Sequence, residues 1–162
     1  MHRTFTLALA AAGMTLTPAA ADGPDIYAEA AYAFIGGDGD DFNAVGARLG
    51  VDFNDYIGAE SEVFFGVEGG TFSDLDFELG GYAVGNVSLT QNIGLFARLG
   101  YAYSQFSLGG TGFEFDDDGI ATGAGFKVDF GPKIALRTGY TFQDIASDAH
   151  IFDAALVYKF GK

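Results

Sequence analysis

Residues 44–53, AVGARLGVDF, place Val45, Ala47, Leu49, Val51 and Phe53 on one side of an extended chain and Ala44, Gly46, Arg48, Gly50 and Asp52 on the other. The same period of two recurs further on. Ile120, Thr122, Ala124, Phe126, Val128 and Phe130 oppose Ala121, Gly123, Gly125, Lys127 and Asp129. Ile134, Leu136, Thr138, Tyr140 and Phe142 face away from Arg137 and Gly139, and Phe152, Ala154, Leu156, Tyr158 and Phe160 face away from Asp153 and Lys159. Each segment carries one aliphatic and aromatic face and one face of small or charged residues, which is a strand pattern and not a helical one.

Working outward, eight such segments emerge: Asp25–Ile35, Phe42–Phe53, Tyr56–Val67, Asp76–Leu89, Ile93–Leu108, Gly119–Phe130, Lys133–Asp144 and His150–Phe160. Most reach the 9–11 residues that a tilted strand needs to cross the hydrocarbon of a bilayer, and an even number returns both ends of the chain to one side. The connections alternate in kind. Asn54-Asp55, Thr90-Gln91-Asn92 and Gly131-Pro132 are tight, whereas Gly36–Asp41, Glu68–Leu75, Gly109–Asp118 and Ile145–Ala149 are longer. Alternation alone fits a soluble barrel with its apolar face inside or a membrane barrel with that face outside. Strand length and aromatic residues at strand ends favour the membrane: Phe53, Tyr56, Phe130, Tyr158 and Phe160 at the tight-turn end, and Tyr32, Phe34, Tyr101, Tyr103, Tyr140 and Phe142 at the other. The expected fold class is all-β, an eight-stranded antiparallel up-and-down transmembrane β-barrel.

The first 21 residues, MHRTFTLALAAAGMTLTPAAA, read as a cleaved signal peptide: Arg3, an apolar stretch from Phe5 to Leu16 too short to span a bilayer, and small residues at Ala19-Ala20-Ala21. Residues 22–162 then form one domain, the barrel. Past residue 21, seven basic side chains face 22 acidic ones, a formal charge of −15, which excludes nucleic acid as a partner. With no cysteine among the 162 residues, neither disulfides nor thiolate metal sites hold the fold. No run of about 18 apolar residues follows the leader, so the membrane is not crossed by a helix.

An eight-stranded barrel has an interior just wide enough for side chains. The inward face carries Arg48, Arg98, Lys127, Arg137 and Lys159 together with Glu29, Glu60, Glu62, Glu78 and Asp153. Buried charges survive only when paired and hydrogen-bonded, so these ten residues are expected to form a structural salt-bridge network that plugs the lumen. The alternative reading is a charged lining that selects ions in a narrow porin-like channel.

The remaining acidity falls in the longer connections, at Asp38, Asp40, Asp41, Asp74, Asp76, Asp116, Asp117, Asp118, Asp144 and Asp148. Neither GGDGDD nor DDDG has the ligand spacing of a calcium loop, so loose bridging of divalent cations is the most this crown implies. Ser147, His150 and Asp153 bring together the residue types of a hydrolytic triad, but extended backbone puts the serine and histidine on opposite faces. GTGAGF has no following helix to make it a phosphate loop. No cofactor and no catalysis are expected.

IGLFARLGYAYSQF, GIATGAGFKVDFGPKIALRTGYTFQDI and FDAALVYKF together resemble the last four strands of OmpA/OmpX-type eight-stranded outer-membrane barrels, the porin-family outer membrane protein β-barrel domain. The resemblance implies a monomer in the Gram-negative outer membrane, in contact with lipid and lipopolysaccharide. Its relatives serve as structural proteins, adhesins or resistance factors. It also implies that Tyr158 and Phe160 act as the C-terminal signal read by the outer-membrane assembly machinery, although here Gly161-Lys162 follow the phenylalanine. A lipid A-modifying enzyme and a soluble lipocalin-like binder are the remoter expectations.

Overall fold

The computed structural model describes residues 24–36, 41–68, 73–108, 114–145 and 148–160. Eight strands, β1 (Asp25–Gly36), β2 (Asp41–Asp52), β3 (Ile57–Glu68), β4 (Ser73–Ser88), β5 (Ile93–Leu108), β6 (Glu114–Asp129), β7 (Ile134–Asp144) and β8 (Ala149–Lys159), close into an antiparallel barrel in sequence order. Each strand pairs with its chain neighbours, and β8 returns to β1 with Tyr27 opposite Lys159 and Gly36 opposite His150. Closure gives the spanning backbone its hydrogen bonds within the sheet, the condition that lipid imposes on a crossing strand. The leader lies outside the described residues, as do parts of the longer connections.

The tight turns are built by their own side chains. Asn54 Oδ1 accepts hydrogen bonds from the backbone N–H groups of Tyr56 and Ile57 at 2.9 and 3.0 Å. Thr90 Oγ1 accepts from Asn92 and Ile93 at 3.2 and 3.0 Å. Asx- and ST-turns of this kind reverse the chain within a few residues and fix the hairpin register.

Burial follows the alternation. On β8, Ile151, Asp153, Ala155 and Val157 are buried, while His150, Phe152, Ala154, Leu156 and Tyr158 are exposed. The barrel therefore presents its large apolar residues outward: Leu49, Leu99, Phe126 and Leu156 are more than half exposed, the polarity of a membrane barrel and the reverse of a soluble one. Aromatic residues ring both ends of this wall, with Phe53, Tyr56, Phe130 and Phe160 exposed at the tight-turn end and Tyr32, Phe34, Tyr101 and Tyr140 at the other. From Val45 to Phe53 the apolar face runs about 27 Å along the strand, or about 20 Å of height at a tilt near 40°.

β4 and β6 start earlier than the sequence pattern suggests, while β5 runs from Ile93 to Leu108 as expected. β4, β5 and β6 each have 16 residues against 11 or 12 in the others. β6 begins at Glu114 and β4 at Ser73, so Asp74, Asp76 and Asp116–Asp118, expected in loops, belong to a three-stranded flap. On the β6 arm Glu114, Asp116 and Asp118 are exposed and Asp117 is half-buried, so no apolar alternation marks a strand there, whereas Leu75 of β4 and Phe106 of β5 turn inward against buried apolar residues. A β-bulge between Leu75 and Phe77 sits at the base of its β4 arm.

Candidate functional site in the lumen and on the acidic rim

The lumen is filled in three layers. Nearest the long-connection end, Ile35 and Ala33 of β1, Phe42 and Ala44 of β2, Phe64 of β3, Leu75 of β4 and Ile151 of β8 form one buried apolar cluster, with Phe106 and Ile145 packed against it. Phe42 and Phe106 meet with ring centroids 5.8 Å apart. These residues form a dry cap over the barrel mouth.

Beneath the cap lie three arginines from β2, β5 and β7. Arg48 reaches Glu62 at 2.7 Å, Asp153 at 2.8 Å and Glu29 at 3.2 Å. Arg98 reaches Glu62 at 2.7 Å and donates to Thr141 Oγ1. Arg137 reaches Glu29 at 2.8 Å and also pairs with Glu60. Tyr82 and Tyr27 donate their hydroxyls to Glu62 and Glu60. Arg137 of β7 and Glu60 of β3 stand four strands apart in the ring of eight, on opposite walls, so the network ties the barrel across its diameter.

Each guanidinium also lies over an aromatic ring: Arg48 over Phe64 at 5.2 Å, Arg98 over Tyr82 at 4.4 Å and Arg137 over Phe96 at 3.6 Å. A cation above a ring face gains roughly 0.5–2 kcal/mol, more when water is excluded. Glycine makes room for these rings. A Cβ at Gly125 would stand 2.7 Å from the Phe96 ring and one at Gly139 would stand 2.9 Å from it, while one at Gly50 would collide with Tyr27. The aromatic platforms were not expected from the sequence, although Tyr27, Phe64, Tyr82 and Phe96 share strand parity with Glu29, Glu62, Glu78 and Arg98.

Three of the ten expected network residues lie apart from this layer. Glu78 is buried on the cap side of it, bonded by Ser104 Oγ at 3.4 Å, with its Oε1 unbonded and no basic side chain within ion-pair distance among the described residues. Lys159 instead pairs with Asp129 at 2.5 Å near the tight-turn end, where both are partly exposed. Lys127 lines a small chamber at that same end with Asp52, Asn86 and Lys159. The chamber holds about 20 Å³, room for about one water. Strand parity assigns a residue to the inside but says nothing of its height, and the two lysines sit below the arginine layer.

The outer membrane protein beta-barrel domain model matches residues 5–160. The chain belongs to that family. Solved structures agree on the fold. The Yersinia pestis attachment invasion locus protein Ail, in a structure with the heparin analogue sucrose octasulfate, superposes with a TM-score of 0.61 at 17% identity, covering 85% of this chain and 97% of Ail. The N-terminal β-barrel domain of Pseudomonas aeruginosa OprF gives 0.70 at 12% identity, covering 85% and 98%. Neisserial surface protein A gives 0.61 at 15% identity, covering 85% and 97%. A search of curated proteins by sequence finds no match.

As an outer-membrane barrel, the molecule separates its charges by height. The described lysines, Lys127, Lys133 and Lys159, belong to the tight-turn end, and the three described arginines are buried in the lumen. At the long-connection end, Asp41, Asp74, Asp76, Glu114, Asp116, Asp118, Asp144 and Asp148 are exposed, with no lysine or arginine among the described residues there. The flap orders several of these acids: Ser107 donates to Asp76 at 3.0 Å, Gln105 to Glu114 at 3.3 Å, and Tyr101 to Asp118. Asp38 and Asp40 lie outside the described residues.

The triad residues do not converge. His150 is exposed on the lipid-side face of β8, bonded to the Tyr140 hydroxyl at 2.7 Å, whereas Asp153 points into the lumen toward Arg48. Ser147 lies outside the described residues. Tyr158 and Phe160, the expected assembly signal, are exposed on the outer wall with rings 5.2 Å apart, and Phe160 N–H donates to Ile26 O at 2.8 Å.

Proposed function

We propose that this outer-membrane barrel is a structural and surface-interaction protein, with its long-connection end outside the cell, its tight turns in the periplasm and its lumen closed. The observation that carries the reading is the stack of apolar cap over arginine–carboxylate layer, because a water column would have to displace both. Short turns inside and longer loops outside is the arrangement typical of such barrels. The working surface is then the acidic rim on a rigid scaffold. Ail is described with a polyanion bound; an acidic rim is a poor match for one, which supports a partner of opposite charge here. We further propose that residues 1–21 direct export and that Tyr158 and Phe160 are read during assembly, with lipid and lipopolysaccharide as the surroundings and divalent cations screening the rim loosely.

The test is single-channel recording of the purified protein in planar bilayers. A silent bilayer, at a protein load whose unboiled gel mobility shows folded barrel, is the expected result. Discrete conductance steps would sink the closed-lumen reading in favour of the narrow channel.

A further inference from the structure

Glu78 differs from the other acids of the arginine layer. Glu29, Glu60, Glu62 and Asp153 each pair with an arginine. Glu78 is 2% exposed, Ser104 Oγ of β5 donates to one of its oxygens at 3.4 Å, and the other, Oε1, accepts no hydrogen bond among the described residues. Gln143 of β7 is beside it, buried, with Nε2 likewise unbonded.

The charges that face Glu78 are committed to one another. Arg98 of β5 is bound to Glu62 of β3 at 2.7 Å and to Thr141 of β7, and Tyr82 of β4 donates its hydroxyl to the same Glu62. Behind them, Arg48 of β2 is paired with Asp153 of β8, and Arg137 of β7 with Glu29 of β1, both at 2.8 Å. β6 faces this height with Ala121, opposite Gln143. On the other side of Glu78 is the dry cap. Leu75, 5% exposed within that cap, lies three residues away on β4, across the bulge between Leu75 and Phe77. The β3–β4 register runs from Ile57 opposite Gly85 to Phe64 opposite Glu78, so the acid sits where that regular pairing gives way to the bulged arm carrying Leu75.

An ionised carboxylate without a cation is costly to keep from water, and a carboxyl group so placed is neutralised by a proton. The acid form also gains a donor, for which Ser104 and Gln143 supply acceptor oxygens. We infer that Glu78 sits beneath the cap as the neutral acid and that its proton keeps the cap shut. Loss of that proton to solvent draws water to Glu78 past Leu75 and loosens the cap, while the arginine layer beneath keeps the lumen closed.

The experiment compares the parent barrel with Glu78→Gln, which keeps the shape and removes the titration, by urea midpoints for refolding into lipid vesicles between pH 5 and pH 9. The other carboxylates are common to both chains, so the difference reports position 78. In the unfolded chain a glutamate ionises at about pH 4.3. Above about pH 5 folding of the parent therefore takes up a proton, and its folding constant should fall by up to about tenfold per pH unit relative to E78Q, levelling once the folded barrel has itself lost the proton. A difference that stays constant from pH 5 to pH 9 would overturn the neutral acid. For the cap, Ala33→Cys places a single thiol in a chain without cysteine. Its rate of reaction with a small methanethiosulfonate, taken as the ratio of the Glu78 to the E78Q background so that thiol ionisation cancels, should rise at least tenfold from pH 6 to pH 9. A ratio that does not change would overturn the coupling to the cap. Each variant must keep the heat-dependent gel shift of the parent, and Ala149→Cys, in the same cluster, takes the place of Ala33→Cys if that thiol prevents folding. Either failure leaves the closed-lumen reading intact, since that reading answers to conductance alone.

Discussion

The lumen and the rim solve opposite electrostatic problems with the same residue types. In the lumen, each arginine is held by carboxylates and lies against a ring, so its charge is buried and paired. On the rim, carboxylates stand exposed without a lysine or arginine among the described residues of that end. The contrast teaches that acidity in this chain is not a single property. A buried acid holds a cation that cannot leave, while a rim acid is screened by solvent and remains open to a partner.

Removing one cation from the lumen should break the comparison most severely. Arg48→Ala takes from Asp153 the one cation it pairs with among the described residues and leaves Glu62 and Glu29 with Arg98 and Arg137 alone, and a loss of about 3–5 kcal/mol is expected, read as a lower urea midpoint for refolding into lipid vesicles. A midpoint unchanged from the parent would mean that the network is solvated. Next in size is the cap. Ile151→Ala should cost about 2–4 kcal/mol by opening an apolar void, without conductance steps, because the arginine layer beneath it stays in place. Gly139→Val should cost about 1–3 kcal/mol by pushing Phe96 from beneath Arg137, and a small residue at 96 in the same chain should recover part of it. Lys159→Ala should cost about 1 kcal/mol at most, since its pair with Asp129 is partly exposed, and raised salt should erase the difference. Asp116→Asn should leave the urea midpoint where it was, and a measurable loss there would show that the rim acids are structural after all.

Much of this was legible in the chain itself. The alternation in residues 44–53 and 120–130 identifies the inner and outer faces residue by residue, because a strand's period is fixed at two. What it does not identify is height. Glu78, Lys127 and Lys159 have the right parity, but the pairing of Arg48 with Asp153 depends on how far each strand is staggered against the next, and stagger is a property of the closed sheet. The flap was hidden for a different reason. Asp116–Asp118 look like loop because acidic residues are poor strand formers and no buried face imposes an alternation there; pairing with Tyr103–Gln105 of β5 extends the strand regardless. The inward aromatics share strand parity with the inward charges but were passed over, since a polar lumen led to an expectation of small and charged residues alone.

The seam between β1 and β8 has a consequence for how the molecule comes into being. Tyr27 lies opposite Lys159, so the first strand of the barrel cannot find its second neighbour until the final strand has been delivered. A chain truncated before residue 149 lacks β8, and its sheet keeps two sticky borders, β1 and β7, instead of none. Arrival of β8 is itself the checkpoint: only with all eight strands can the sheet become a ring.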